Sequence, residues 1–95
     1  MRESYTCILE RTVYPAPAML WNYNLYCCYD HDQHNEYSDV FSISVTIKDF
    51  SKEESVFVND VTRIKEKAVN VFNTLADSKV SIYAVKDMIE DLMYQ

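Results

Sequence analysis

Residues 39–48 read DVFSISVTIK, and Phe41, Ile43, Val45 and Ile47 alternate in them with Ser42, Ser44 and Thr46. A period of two with β-branched residues on one side specifies a strand with one apolar face and one polar face. Such a strand belongs to an antiparallel sheet covered on one side and wet or partnered on the other. Upstream, residues 20–29 (LWNYNLYCCY) read the same way. Trp21, Tyr23, Leu25, Cys27 and Tyr29 share a face opposite Asn22, Asn24, Tyr26 and Cys28. Residues 4–13 (SYTCILERTV) form a first strand, with Tyr5, Cys7 and Leu9 on one side and Thr6, Glu10 and Thr12 mostly on the other. The prolines of YPAPAM, next in the chain, forbid a continuous ladder, so the connection bends or runs along an edge.

Downstream of the decisive strand the period changes. The charged run of DFSKEESVFVND, residues 49–60, reads as a solvated loop, with Val56-Phe57-Val58 as a short extra strand or anchor. Between Asp60 and Ala76 the apolar positions Val61, Ile64, Ala68, Val71, Phe72 and Leu75 fall on one stripe of a helix, with Asp60 or Thr62 as N-cap. Asp77-Ser78-Lys79 is a short connection. Ser81 is the expected cap of a second helix, with Val80 and Val85 as its hydrophobic staple. In that helix Val85, Met88, Ile89 and Leu92 follow i, i+3, i+4, i+7 spacing. The expected fold is α+β: a three- to four-stranded antiparallel meander with a C-terminal helical hairpin packed on one face, in two layers. The chain reads as one domain over 1–95, with a strand-rich half (1–58) and a helical hairpin (59–95). The helices should cover the face bearing Trp21, Leu25, Phe41, Ile43 and Val45.

Composition narrows the function classes. An apolar fraction of 48% and a charged fraction of 25% describe an ordinary globular domain. Fifteen acidic residues against 9 basic give a formal net charge of −6, a field that repels phosphate backbones and anionic membrane surfaces. Direct nucleic-acid binding and membrane association are therefore not expected. Glycine is absent, where average usage of about 7% predicts roughly six or seven. Phosphate-cradling loops need glycine for positive φ and close backbone approach, which excludes the usual Walker and dinucleotide-binding turns. Cys7, Cys27 and Cys28 are odd in number and match no disulfide or zinc-finger spacing. Residues 1–5 lead into alternating residues rather than a signal-peptide core, and no apolar run approaches the roughly 20 residues of a membrane span. A reduced, cytoplasmic protein is the expectation.

Residues 27–36, CCYDHDQHNE, hold the side chains from which metal and hydrolytic sites are built. Adjacent Cys27 and Cys28 on a strand point to opposite faces and cannot share one metal. His31 and His34, the candidate ligands, are one residue closer than the usual histidine spacing of structural zinc. Asp30, Asp32 and Glu36 lack the glycine of a calcium loop. The expected role is a seven-residue hairpin connection, with no metal and no cofactor. A Cys28–His31 nucleophilic centre would need an activated thiolate and an oxyanion hole that nothing nearby supplies. Two interaction patches stand out instead. Ile8, Tyr26, Cys28 and Val40 should gather on the sheet face left bare by the helices. Asp87, Glu90 and Asp91 should line an exposed helix face suited to a basic partner.

The run VNDVTRIKEKAVNVFNTLADSKVSIYAVKDMIEDLM resembles an uncharacterised family of small clostridial proteins, a domain of unknown function, mainly over residues 58–93; YTCILERTV is similar to its first strand. The resemblance implies an intracellular bacterial protein of this layout and no particular activity. The function expected is non-enzymatic: a small cytosolic interaction or regulatory module, contacting a protein partner or a second copy through the bare sheet face. The alternatives are a metal- or thiol-dependent activity around Cys28, His31 and His34, and an acidic phage-type inhibitor that mimics nucleic acid.

Overall fold

The computed structural model describes residues 5–31 and 37–94, with the backbone alone at 29–31 and 37–38. Four strands, β1 (Thr6–Ala16), β2 (Met19–His31), β3 (Tyr37–Lys48) and β4 (Glu53–Thr62), precede two helices, α1 (Lys65–Asp77) and α2 (Val85–Met93). The strands form one antiparallel meander in the order β1-β2-β3-β4. Both helices pack on the sheet: α1 touches every strand, and α2 lies against α1 and β4. This is the two-layer α+β architecture that the change of period specifies.

The alternation of β3 is what places the core. Phe41, Ile43 and Val45 are buried against Tyr23 and Leu25 of β2 and against Ala68, Val71, Phe72 and Leu75 of α1. In the ladder Cys27 faces Phe41, Leu25 faces Ile43 and Tyr23 faces Val45, so the apolar faces of β2 and β3 coincide. Val80 of the interhelix connection and Val85 and Ile89 of α2 close the core. The Tyr23 hydroxyl donates to the Val80 carbonyl at 2.8 Å, tying the sheet to the interhelix connection. Arg11 of β1 reaches Asp77 at 2.8 Å and Asn73 at 3.3 Å, placing a cation at the C-terminal end of α1, where the helix dipole favours it.

Several boundaries differ from the sequence reading, each for a local reason. β2 continues through Asp30 and His31, with His31 paired to Tyr37; the expected seven-residue connection contracts to residues 32–36, outside the described residues. β4 is a full strand beginning at Glu53, and the turn before it is short. The Asp49 carboxylate accepts the Ser51 and Lys52 amides at 2.9 and 3.0 Å, which holds its carboxyl below the usual range. The strand-rich half therefore ends at Thr62, beyond the expected 58. Val61 belongs to β4, and Ile64 is the exposed N-cap of α1, without a side-chain cap. Thr62 instead accepts the Ile64 amide at 3.1 Å and turns the chain before the helix begins. Ser81 is not the cap of α2 either. Its carbonyl accepts the Ala84 amide at 3.1 Å, and this turn delays the helix until Ala84 serves as N-cap.

Without glycine, the fold sets Ala18, Asp60 and Lys79 at positive φ. Ala18 closes the β1–β2 hairpin beside Pro17, and Pro15 lies at a ladder irregularity on edge strand β1, where its missing N–H costs least. Lys79 ends α1 in a Schellman motif: Val80 N–H donates to Leu75 at 3.1 Å and Lys79 N–H to Ala76 at 3.2 Å. A left-handed L-residue costs roughly 1–2 kcal/mol, part of which glycine gives back in unfolded-chain entropy. Lys79→Gly should therefore stabilise the domain by about 0.5–1 kcal/mol and raise the melting midpoint by a few degrees. An unchanged or lower midpoint in thermal unfolding would contradict that assignment.

Candidate interaction surface

The sheet face opposite the helices is built from the second set of alternating residues. Ser42 and Ser44 of β3 occupy its centre and are buried, as is Asn24 beside them. Bulkier residues close over this face at one end. Tyr5, Tyr26 and Phe57 form an aromatic trio, with ring centroids 5.3 Å apart for Tyr5–Phe57, 5.8 Å for Tyr26–Phe57 and 6.3 Å for Tyr5–Tyr26. Tyr5 meets both other rings edge-on at 77°, a geometry aromatic quadrupoles favour. Its hydroxyl donates to Asn59 Oδ1 at 2.7 Å, so the chain before β1 is fastened across the sheet to β4. Phe57 is 43% exposed and Tyr5 37%.

Beside the trio runs a polar ladder. Asn24 donates to Asn22, and Asn22 donates to Thr12 at 3.0 Å and Glu10 at 3.2 Å. The Cys7 thiol points to Asn24 Oδ1 at 3.5 Å. The whole face thus carries an aromatic end, a carboxamide and hydroxyl middle, and few charges. That composition suits a wet, polar protein contact with aromatic anchors.

The expected patch residues separate on this face. Tyr26 is half-buried in the trio, and Ile8 is exposed at a ladder irregularity between Cys7 and Leu9. That irregularity turns Leu9 toward Leu25, away from the face that Tyr5 and Cys7 share with Tyr26, so the expected grouping of Tyr5, Cys7 and Leu9 on one side breaks there. Cys28 is 1% exposed and Val40 2%; they lie opposite each other in the ladder and pack within the fold. They lie on this face but are covered, and cannot touch a partner in this state. Tyr5 and Phe57 take their place. Phe57 was legible in the alternation of Ser55 and Phe57 with Val56 and Val58, once β4 is read from Glu53.

The two candidate cysteines do not converge. Cys27 and Cys28 are on opposite faces, as strand geometry requires. Burial, and then the neighbouring Asp39 carboxylate, push the Cys27 thiol up, away from a reactive thiolate. At 1% exposure Cys28 is closed to a substrate. His31 is the last residue of β2, its side chain outside the described set, and His34 lies outside the described residues. Among the described residues no three His, Cys, Asp or Glu side chains come together as a metal group.

A second feature was not foreseen. Between β3 and β4 the register slips, Phe41 pairing with Thr62 and Ile43 with Val58, so Asn59–Val61 bulge opposite Ser42. The buried Ser42 hydroxyl stitches the bulge, accepting the Asp60 amide at 3.1 Å and donating to Asn59 at 3.3 Å. The displaced backbone and α2 leave a groove of about 420 Å³ between them, floored by Val58, Val61, Ile89 and Met93. Lys86 and Glu90 stand on its helix side, and Asp87, Glu90 and Asp91 are exposed along α2, as their spacing predicts.

The fold and this bare face define a two-layer α+β domain: a four-stranded antiparallel meander with two C-terminal helices on one side. The chain belongs to a family of unknown function (DUF6514), whose model matches residues 4–95. Membership thus extends well beyond the residues 58–93 that carry the resemblance. No curated protein and no solved structure matches the chain. Among the described residues no helix is long and apolar enough to cross a membrane.

Proposed function

We propose that the chain is a non-enzymatic protein–protein interaction module of the cytoplasm, with the bare sheet face as its working surface. The carrying observation is the aromatic trio Tyr5–Tyr26–Phe57. The core is complete on the helix side without it, yet the fold fastens Tyr5 to Asn59 and presents Phe57 to solvent. Tyrosine and phenylalanine in this setting supply large contact area at low entropic cost, and such residues dominate interface energetics. The acidic side of α2 adds long-range attraction for a partner of net positive charge.

The test compares proteins retained from the source cell by the wild type, Phe57→Ser, Tyr5→Ser and Phe50→Ser. Phe50 is 93% exposed at the β3–β4 turn and serves as an apolar control away from the trio. A genuine partner should fall at least tenfold with Phe57→Ser and with Tyr5→Ser, and stay with Phe50→Ser. A tagged chain retaining an untagged copy, with the same sensitivity, would identify self-association through this face. Equal retention by all four proteins would sink the proposal.

A further inference from the structure

We propose that the groove between β4 and α2 receives an extended apolar and basic peptide segment of a partner protein, added to the sheet as a fifth strand along β4. Three observations meet there. Among the described residues β4 is the last strand of the sheet, and an edge strand turns alternate N–H and C=O groups away from its neighbour, a template for another extended chain. The bulge at Asn59–Val61 ends regular pairing at the point where the groove opens. An added strand would therefore run along Glu53–Val58 and bring its end beside α2.

The groove is then a side-chain receptor at the end of that strand. Its volume of about 420 Å³ falls within the range of roughly 300–1,000 Å³ typical of formed binding pockets. Lys86, Ile89, Glu90 and Met93 line it at i, i+3, i+4, i+7 spacing, so one helix face meets one strand edge. Strand addition uses this division of labour: main-chain hydrogen bonds give affinity, and pockets for alternate side chains give selectivity. Val58, Val61, Ile89 and Met93 select an apolar anchor.

Charge chooses the kind of peptide. Glu90 stands beside Lys86 on the helix side of the groove, and Asp87 and Asp91 extend the acidic side of α2. The chain as a whole carries −6. A segment with Lys or Arg beside its apolar anchors is attracted and oriented, while an acidic one is repelled.

The probe is a phage-displayed library of random heptapeptides, selected on the wild-type chain, with the enriched peptides then made synthetically. Enriched sequences should alternate apolar residues and carry at least one Lys or Arg. Glu90→Arg, an exposed change that leaves the core intact, should weaken them at least tenfold. N-methylation of alternate peptide amides should weaken binding at least tenfold in one register and leave the other register unaffected. Tyr26→Ser, in the trio, should leave the peptide affinity as it is, which separates this groove from the aromatic face. Failure to enrich peptides over a parallel selection on Glu90→Arg would overturn the proposal. So would indifference to N-methylation in both registers, or loss of the peptide with Tyr26→Ser.

Discussion

Phe72→Ala should cost about 3–5 kcal/mol, the toll of removing a large buried aromatic and leaving a cavity that collapses only in part. Phe72 is 1% exposed on α1 and sits in the cluster that joins the helices to Tyr23, Leu25, Phe41, Ile43 and Val45. A domain of this length has roughly 5–14 kcal/mol of total stability, so the loss takes a large share of it. The melting midpoint should fall by about 15–30 °C, or the variant should be partly unfolded at room temperature. Phe50→Ala is the matched control. At 93% exposure, this phenylalanine should change stability by no more than about 0.5 kcal/mol. Similar urea midpoints for the two variants would contradict the placement of the helix layer.

The second large effect is a loss of stability at alkaline pH that belongs to Tyr23. This phenol is fully buried and donates to the Val80 carbonyl; burial pushes its pKa from 10.0 to about 12. The folded state therefore holds its proton over a range in which the unfolded chain has released it. The stabilisation is complete below pH 10 and is lost as pH rises from 10 to about 12, at up to about 1.4 kcal/mol per unit. The total is on the order of 3 kcal/mol. Tyr23→Phe should cost about 1–3 kcal/mol near neutrality, because the Val80 carbonyl loses its buried donor. Above pH 10 the variant should decline less steeply than the wild type. Parallel curves, measured as urea midpoints from pH 8 to 12, would contradict the buried phenol's role.

How much of this was legible in the chain depends on where local and tertiary signals agree. β3 was readable because Phe41, Ile43, Val45 and Ile47 alternate without interruption. The face of α2 was readable because Val85, Ile89 and Leu92 repeat at helical spacing. The charged residues from Lys52 to Glu54 masked the start of β4: they look like a loop, yet an edge strand tolerates charge on its exposed side. Asp60, Thr62 and Ser81 misled for a common reason. Each is a favoured cap residue, and each serves a turn or bulge instead: Asp60 in a left-handed bulge, Thr62 in the turn before α1, Ser81 in the turn before α2.

The candidate surface was half legible for the same reason. Tyr26 was placed on the bare face by alternation alone. Cys28 and Val40 were assigned to it correctly by parity, but parity does not report what lies above a residue. The small Ser42 and Ser44 were the signal that bulkier groups close over that face. The groove beside α2 depends on a register slip between β3 and β4, which no periodicity within one strand encodes.

Hydroxyl-radical footprinting tests the central claim most directly, on the intact chain, alone and with the partner it retains. Labelling of Tyr5, Tyr26 and Phe57 should fall together on binding, while Phe50 at the β3–β4 turn stays fully labelled. Unchanged labelling of the trio in a chain that has bound its partner would contradict the assignment of the bare sheet face as the working surface.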